Sequence, residues 1–253
     1  MKKHILGIDV GATGTKAAMV DIEAGDLVTE KIKLKTPDSK SPEDMAKVIC
    51  ELVDHFDQRN QPVGIGFPSV IQNGISLTAS NIDKSWIGLP INDFLTEKCQ
   101  SEVYVINDAD AAGISEMTYG VGKDKKGTVI LLTLGTGIGS AIFKDGLLLR
   151  NTELGQLEIK EKSKVAEYYT ANSARKREKM EWDEYSKILN AYLEYVNRIF
   201  YPDLMILGGG ISKRFDLFKE HIGSHMNVVP AEKYNNAGII GAALAWHKYK
   251  TID

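Results

Sequence analysis

Short runs of branched apolar residues alternate along this chain with longer segments whose apolar positions recur at helical spacing, a pattern that predicts a mixed α/β protein. Ile5-Leu6-Gly7-Ile8-Asp9-Val10 reads as a strand. It passes through the glycine-rich turn Gly11-Ala12-Thr13-Gly14-Thr15 into a second strand at Lys16-Ala17-Ala18-Met19-Val20-Asp21. Val129 to Leu134, Gly135-Thr136-Gly137-Ile138-Gly139 and Ser140 to Gly146 follow the same order. Two such hairpins about half a chain apart suggest duplicated α/β lobes, each contributing one backbone loop to a shared cleft.

Between the hairpins, Ser41-Pro42-Glu43-Asp44 supplies an N-cap, a proline at N1 and acidic residues for a first helical turn. Met45, Val48, Ile49, Leu52, Val53 and Phe56 then form one apolar helical face. Val63 to Phe67 reads as a strand stopped by Pro68, and Val103 to Ile106 as another that ends at Asn107-Asp108. In the second half, Tyr185, Ile188, Leu189, Tyr192, Leu193, Val196, Ile199 and Phe200 recur at helical spacing, which makes these aromatics core rather than a ligand box. Pro202 ends that helix, Leu204 to Leu207 is a strand, and Gly208-Gly209-Gly210 precedes Ser212, read as the N-cap of a further helix. The expected division is an N-terminal lobe over 1–107, completed by a C-terminal helix at about 239–253, and a C-terminal lobe over 108–238.

Composition narrows the function classes. At 253 residues the chain exceeds the usual size of one domain, in keeping with two lobes. The formal net charge of -3 gives no global attraction to nucleic acid, so a polyanionic partner must be held locally. Cys50 and Cys99 have no partner-like spacing and no His-rich surroundings, so neither a disulfide nor a zinc site is expected, and a reducing cytoplasm is the default. No signal peptide or membrane span is expected from the hydropathy pattern.

The chemistry concentrates where strands end. Asn107-Asp108-Ala109-Asp110 lies at the C-terminal end of a strand, the edge at which open α/β sheets carry their ligands. A carboxylate there can act as a general base, and the same Asn/Asp pair can cap the following helix; the segment alone leaves both readings open. The glycine turns can aim several N–H groups at phosphate oxygens, with hydroxyls of Thr13, Thr15, Thr133 and Thr136 as further donors, or they can serve hairpin geometry alone. A third glycine run after a strand favours phosphate. Neither the P-loop nor the dinucleotide fingerprint fits. Asp9 would repel a phosphate at such a loop unless a cation intervened, and Mg²⁺ suits that place.

The segments Asp9-Val-Gly11-Ala-Thr13-Gly14-Thr-Lys16, Ser80-Asn81-Ile-Asp83-Lys84-Ser85-Trp86-Ile-Gly88, Asn107-Asp108-Ala-Asp110, Leu134-Gly135-Thr136-Gly137-Ile-Gly139-Ser140, Asn151-Thr-Glu153-Leu-Gly155 and Leu207-Gly208-Gly209-Gly210-Ile-Ser212-Lys213 resemble those of the ROK sugar kinases, in their polyphosphate-using glucokinase branch. The matches keep their order over nearly the whole chain. The resemblance implies a two-lobed ribonuclease H-like fold of the actin/hexokinase type. It implies transfer of a terminal phosphoryl group from inorganic polyphosphate, ATP or both to the 6-hydroxyl of glucose, with Mg²⁺. Asp108 would take the hydroxyl proton, while Asn107, Asn81 and Glu153 hold neighbouring hydroxyls and Asp9 acts through the metal. Gly11, Thr13, Gly14, Thr15 and Lys16, with Gly135, Thr136 and Gly137 and with Gly208, Gly209 and Gly210, would face the donor phosphates. Asp110 would cap and orient. A homodimer follows by the same likeness, with no nucleic acid or membrane partner.

Departures from the family pattern bear on specificity. Gln156 stands where the family usually has a histidine that contacts sugar, and Glu167 is the match for a second sugar-binding carboxylate. The family's zinc-binding cysteine cluster is missing after Gln156, as is usual in the polyphosphate-using branch, so no zinc is expected. Serine follows Phe67-Pro68 where glycine is usual, and Ala12 is likewise a departure. Lys123, Lys125 and Lys126, or Arg175-Lys176-Arg177 with Lys179, are candidates for a polyphosphate track, though each run also reads as a solvated face. The rival functions are a strictly ATP-dependent hexokinase of the same fold acting on glucose, mannose or another hexose, and a non-catalytic sugar-sensing regulator. The second is disfavoured because the first strand begins by Ile5, with no helix-turn-helix ahead of it.

Overall fold

In the computed structural model, which describes residues 3–159 and 163–250, the expected strands assemble into one large sheet in each half of the chain. The first unit, Met1–Ser115 with Asn236–Asp253, contains β1 (His4–Val10), β2 (Gly14–Asp21), β3 (Asp26–Leu27), β4 (Ile32–Lys35), α1 (Pro42–His55), β5 (Pro62–Phe67), the small hairpin β6 (Ile71–Gln72) and β7 (Ile75–Ser76), α2 (Ile91–Cys99) and β8 (Glu102–Asn107). The helix α3 (Asp108–Tyr119) follows, and the division between units falls inside it, past the 107/108 boundary expected from the sequence. The second unit, Glu116–Asn235, holds β9 (Thr128–Leu134), β10 (Ile138–Lys144), β11 (Leu147–Leu149), α4 (Ala166–Thr170), α5 (Asn172–Arg177), α6 (Trp182–Phe200), β12 (Leu204–Gly208) and β13 (Val228–Pro230). The last helix, α7 (Ala237–Tyr249), returns to the first unit.

The two sheets have one topology. The first runs β3-β2-β1-β5-β8 with β4 also on β2, and the second runs β11-β10-β9-β12-β13. In each, an antiparallel hairpin (β1 with β2, β9 with β10) is extended by parallel strands (β5 and β8, β12 and β13). The duplication legible in the two glycine hairpins is therefore a duplication of strand order.

Alternation along the parallel strands decides how the first sheet is covered. Leu6, Ile8, Val63, Ile65, Phe67, Val103 and Val105 point to one face and pack with Met45, Ile49, Leu52 and Val53 of α1 and with Ile91 and Leu95 of α2. The intervening residues Gly7 and Gly64 turn to the other face, where α7 lies. A Cβ at Gly64 would overlap the Ala242 carbonyl, and one at Gly7 that of Ile239, so the strands need glycine for backbone-to-backbone contact with the helix. All of β5 is buried, as a parallel strand covered on both faces must be. In α1 the expected cap forms, Ser41 Oγ accepting the Asp44 N–H with Pro42 at the first position.

Two expectations are corrected here. Cys50 on α1 and Cys99 at the end of α2 form a disulfide, with Cα atoms 4.8 Å apart. Their separation of 49 residues carries no sequence signal, and the pairing arises because both helices pack on the same face of the sheet. Ser212 caps no helix: its hydroxyl donates back to the Gly209 carbonyl at 2.7 Å, and it opens a 3-10 turn over Ser212–Leu217 that is kinked at Arg214. Among the described residues, no helix is long and apolar enough to cross a membrane.

Candidate active site

In the first unit, the C-terminal ends of β1, β5 and β8 share one edge. Asp9 pairs with Gly66 and Gly66 with Ile106, which sets Asp9 about two strand spacings (~10 Å) from the end of β8. There Asn107 is buried. Its Oδ1 accepts the N–H groups of Ala109 (2.9 Å) and Asp110 (3.1 Å), and its Nδ2 donates to the Ser69 carbonyl at 3.1 Å. Asn107 is thus the N-cap of α3, a role expected of Asp110, which instead lies fully buried in the first helical turn. Asn107 supplies the cap, and the neighbouring Asp108, half-buried, opens the helix where its dipole favours negative charge. One Asp108 oxygen accepts the Ala109 N–H at 2.9 Å.

The Asp9 carboxylate is partly exposed, meets Lys16 Nζ at 3.2 Å, and lies against the start of α7, where a Cβ at Gly238 would come within 2.9 Å of its Cγ. The Gly11 N–H closes the turn on the Gly14 carbonyl at 3.3 Å, and the Thr36 hydroxyl donates to the Gly11 carbonyl at 2.7 Å. Thr13 is exposed. Thr15, expected among the phosphate donors, is 2% exposed and its hydroxyl faces Thr36, because its place in β2 points it into the sheet. Asn81 is exposed, its carbonyl accepting from Lys40 Nζ at 2.9 Å. Its segment is anchored by Trp86, fully buried against Phe67 and donating Nε1–H to the Lys40 carbonyl at 2.9 Å.

In the second unit, β9 and β12 are parallel neighbours, with Gly208 opposite Thr133, so the loops Gly135–Gly137 and Gly208–Gly210 leave the sheet side by side. Gly209 combines a φ of 78° with close packing, since a Cβ would stand 2.8 Å from the Leu134 carbonyl. The Gly135 N–H turns inward to the Gly137 carbonyl at 3.0 Å. From behind, Ser173 on α5 donates its N–H to the Gly135 carbonyl (3.0 Å) and its hydroxyl to that of Thr136 (2.6 Å).

Glu153 precedes and Gln156 ends a 3-10 turn, Leu154–Gln156, that packs on the start of β10: a Cβ at Gly155 would be 2.5 Å from the Ile138 carbonyl. Gln156 Nε2 donates to Glu167 Oε1 at 3.1 Å, and Glu167 Oε2 accepts the Ile138 N–H at 3.1 Å. Glu153 keeps solvent-accessible surface, yet crowding of its carboxyl by surrounding atoms first, and repulsion from Glu167 second, push its pKa up. Glu153, Gln156, Glu167 and the glycine loop, scattered over more than 30 residues of sequence, are thus neighbours.

Residues 5–159 match the sequence profile of the ROK family. Over 245 residues the chain is 42% identical to the polyphosphate glucokinase of Mycobacterium tuberculosis, covering 96% of this chain and 91% of that protein. The chain belongs to the ROK family. Among solved structures, this ROK chain is similar to the inorganic polyphosphate/ATP-glucomannokinase of Arthrobacter sp. strain KM, at 43% identity and a TM-score of 0.93 over 97% of this chain and 99% of that one. It shares its fold with a ROK family glucokinase of Streptomyces griseus solved with glucose and AMPPNP, at 24% identity and a TM-score of 0.81 over 95% and 98% of the two chains. The α/β fold class implied by the sequence resemblance is borne out.

Some parts of this ROK site escaped the sequence. Thr36 and Ser173 support the loops through side-chain hydrogen bonds to backbone carbonyls of residues distant in sequence, and no local pattern marks them. Two of the expected cations are committed to packing: Arg175 stacks 4.2 Å from the Trp182 ring and donates to the Met180 carbonyl, and Arg177 lies 4.1 Å from the Tyr168 ring and donates to its carbonyl. Lys176 and Lys179, like Lys123, Lys125 and Lys126, are exposed. Among the described residues, no group of three or more His, Cys, Asp or Glu is placed to hold a metal. Asp9 offers a single carboxylate, paired with Lys16, and one carboxylate fits Mg²⁺ because that ion keeps waters and takes phosphate oxygens for its remaining positions.

Proposed function

We propose that this chain is a sugar kinase that transfers the terminal phosphoryl group of inorganic polyphosphate, ATP or both to the 6-hydroxyl of glucose, giving glucose 6-phosphate. The observation that carries the reading is the Asn107-Asp108 pair at the end of β8: Asn107 supplies the cap of α3, and Asp108 opens that helix at the strand edge where open α/β sheets carry their ligands. Kinship to proteins described as a polyphosphate glucokinase and a polyphosphate/ATP-glucomannokinase supports the choice of donor and acceptor.

Asp108 accepts the proton of the sugar hydroxyl as the new O–P bond forms. A sugar hydroxyl is hardly acidic, so the proton moves late, and in-line positioning with charge neutralisation lowers most of the barrier. Glu153, Asn81 and the second Nδ2 hydrogen of Asn107 hold neighbouring hydroxyls. The N–H groups of Thr136 and Gly137, the Gly11–Gly14 turn with Thr13 and Lys16, and the Gly208–Gly210 loop meet phosphate oxygens. Asp9 would hold Mg²⁺, which when bound neutralises charge on those oxygens. Gln156 can both donate and accept, so hexose choice depends on it.

The test is a glucose 6-phosphate assay with polyphosphate and with ATP across several hexoses, run beside Asp108→Asn. Turnover in the wild type and a loss of at least about 100-fold in the variant are expected, at the lower end of what general acid–base catalysis contributes. An unimpaired variant would remove Asp108 from its role. Product from ATP alone would establish the ATP-dependent hexokinase instead, and no product from either donor the sugar-sensing regulator.

A further inference from the structure

We infer that Ser140, together with Thr152, is the positioning residue for Glu153 and so governs how tightly the site holds its sugar. The inference rests on the kinase reading and deepens it. Ser140 interrupts an apolar face: with Ile138 and Ile142 it lies on the side of β10 that enters the core, and it is 1% exposed. A buried hydroxyl needs partners, and those of Ser140 stand on either side of Glu153. Its Oγ donates to the Thr152 carbonyl at 2.6 Å and accepts the Leu154 N–H at 3.0 Å.

The local backbone explains why such anchors are needed. The ladder between β10 and β11 ends at Ile142 and Leu149, and Asn151, with a φ of 61°, turns the chain off the sheet. Ser140 and Thr152 then take over from the ladder, the hydroxyl of each donating to the carbonyl of the other, with Thr152 Oγ1 at 3.0 Å from the Ser140 oxygen. The Leu154 N–H fixes the far side, where the 3-10 turn begins. Glu153 is thus fastened through both of its chain neighbours. Its carboxyl is crowded and repelled by Glu167, the two causes that raise its pKa, so it would gain by swinging into water. The anchors at 152 and 154 hold it in place against that gain.

The test compares Ser140→Ala, Thr152→Val and Thr152→Ser. The first removes the hydroxyl that joins residues 152 and 154, the second removes only the bond to the Ser140 carbonyl, and the third retains that bond. The glucose KM, and the glucose Kd from calorimetry, should rise about tenfold in Ser140→Ala and about threefold in Thr152→Val, the scale of one or two lost hydrogen bonds. Thr152→Ser should stay within about twofold of wild type, and the donor KM within about twofold in all three. A general loosening of the second unit would instead raise both KM values alike.

Titration of the Glu153 carboxyl by NMR in the sugar-free protein, its signal identified with Glu153→Gln, gives a readout independent of turnover. Its raised pKa should fall toward the ordinary glutamate value in Ser140→Ala, as the carboxyl leaves Glu167 for water. An unchanged glucose affinity, a donor KM raised to the same extent, or an unmoved Glu153 titration would overturn the assignment of Ser140. If Ser140→Ala does not fold, the two Thr152 variants decide it by the same readouts. If the wild type transfers no phosphoryl group from either donor, the kinase reading fails, and the glucose Kd and the Glu153 titration still decide the role of Ser140.

Discussion

Asn107 and Asp108 are adjacent, similar in chemistry, and placed differently by where the chain turns. Asn107 is the last residue of β8, so its amide reaches forward to the first N–H groups of α3 and sideways to Ser69, whereas Asp108 begins the helix and accepts the Ala109 N–H. Thr36 shows the opposite case, a site residue with no signature of its own. Thr36→Val keeps the shape and removes the bond to the Gly11 carbonyl, a loss of about 1 kcal/mol. The expected result is a donor KM raised about fivefold with the glucose KM unchanged, read from initial rates. Glu116 is a third residue whose role appears only in the fold. It is fully buried and accepts the backbone N–H groups of Val121, Glu232 and Lys233, yet burial outweighs those bonds and raises its pKa. A carboxyl raised on folding contributes stability that is fully present below the ordinary glutamate pKa and lost as pH rises through the higher folded value. Glu116→Gln, which faces an amide nitrogen to buried N–H donors, should lower the Tm at every pH. Its deficit relative to wild type should be larger at pH 4 than at pH 8 in thermal denaturation; a deficit that grows with pH would contradict the assignment.

At the scale of elements, the apolar patterns identified strands and helices well because each reports burial of its own face. The apolar face of α1 reads directly from Met45, Ile49, Leu52 and Val53, and its Ser41-Pro42 start is visible in two residues. What the patterns could not report is which element meets which. Gly7 and Gly64 look like weak points within strands until α7 is seen against them. The Cys50–Cys99 bond is invisible for the same reason, its two halves lying on helices that come together only on the sheet. Closing a loop of that length constrains the unfolded chain by about 2–4 kcal/mol. Reduction, or Cys50→Ser with Cys99→Ser, should therefore lower the Tm of the oxidised protein by about 5–15 °C, at roughly 2–4 °C per kcal/mol for a chain of this size. An unchanged Tm in differential scanning calorimetry with and without reductant would show that the bond does not form in solution.

For the whole molecule, the first unit is assembled from both ends of the chain: α7 covers the face of β1 and β5 that Gly7 and Gly64 open. A chain ending at Asn235 should leave that face exposed and lose the cooperative unfolding of the first unit, while residues 116–235 keep the sheet and core of the second. Proteolysis of the truncated chain, followed by mass spectrometry, checks this: protection confined to 116–235 is the expected outcome, and equal protection of both units would refute it. By itself the sequence determined the α/β class, the duplicated hairpins, the strand that ends in Asn107-Asp108 and the glycine loops, because each depends on residues within one or two turns or strands. Only the tertiary structure decided that Asn107 rather than Asp110 is the cap, that Thr15 faces inward, that Cys50 meets Cys99, and that Glu167 is tied to both Gln156 and Ile138. Those outcomes depend on pairs far apart in sequence, whose meeting is set by strand order and helix packing rather than by any local pattern.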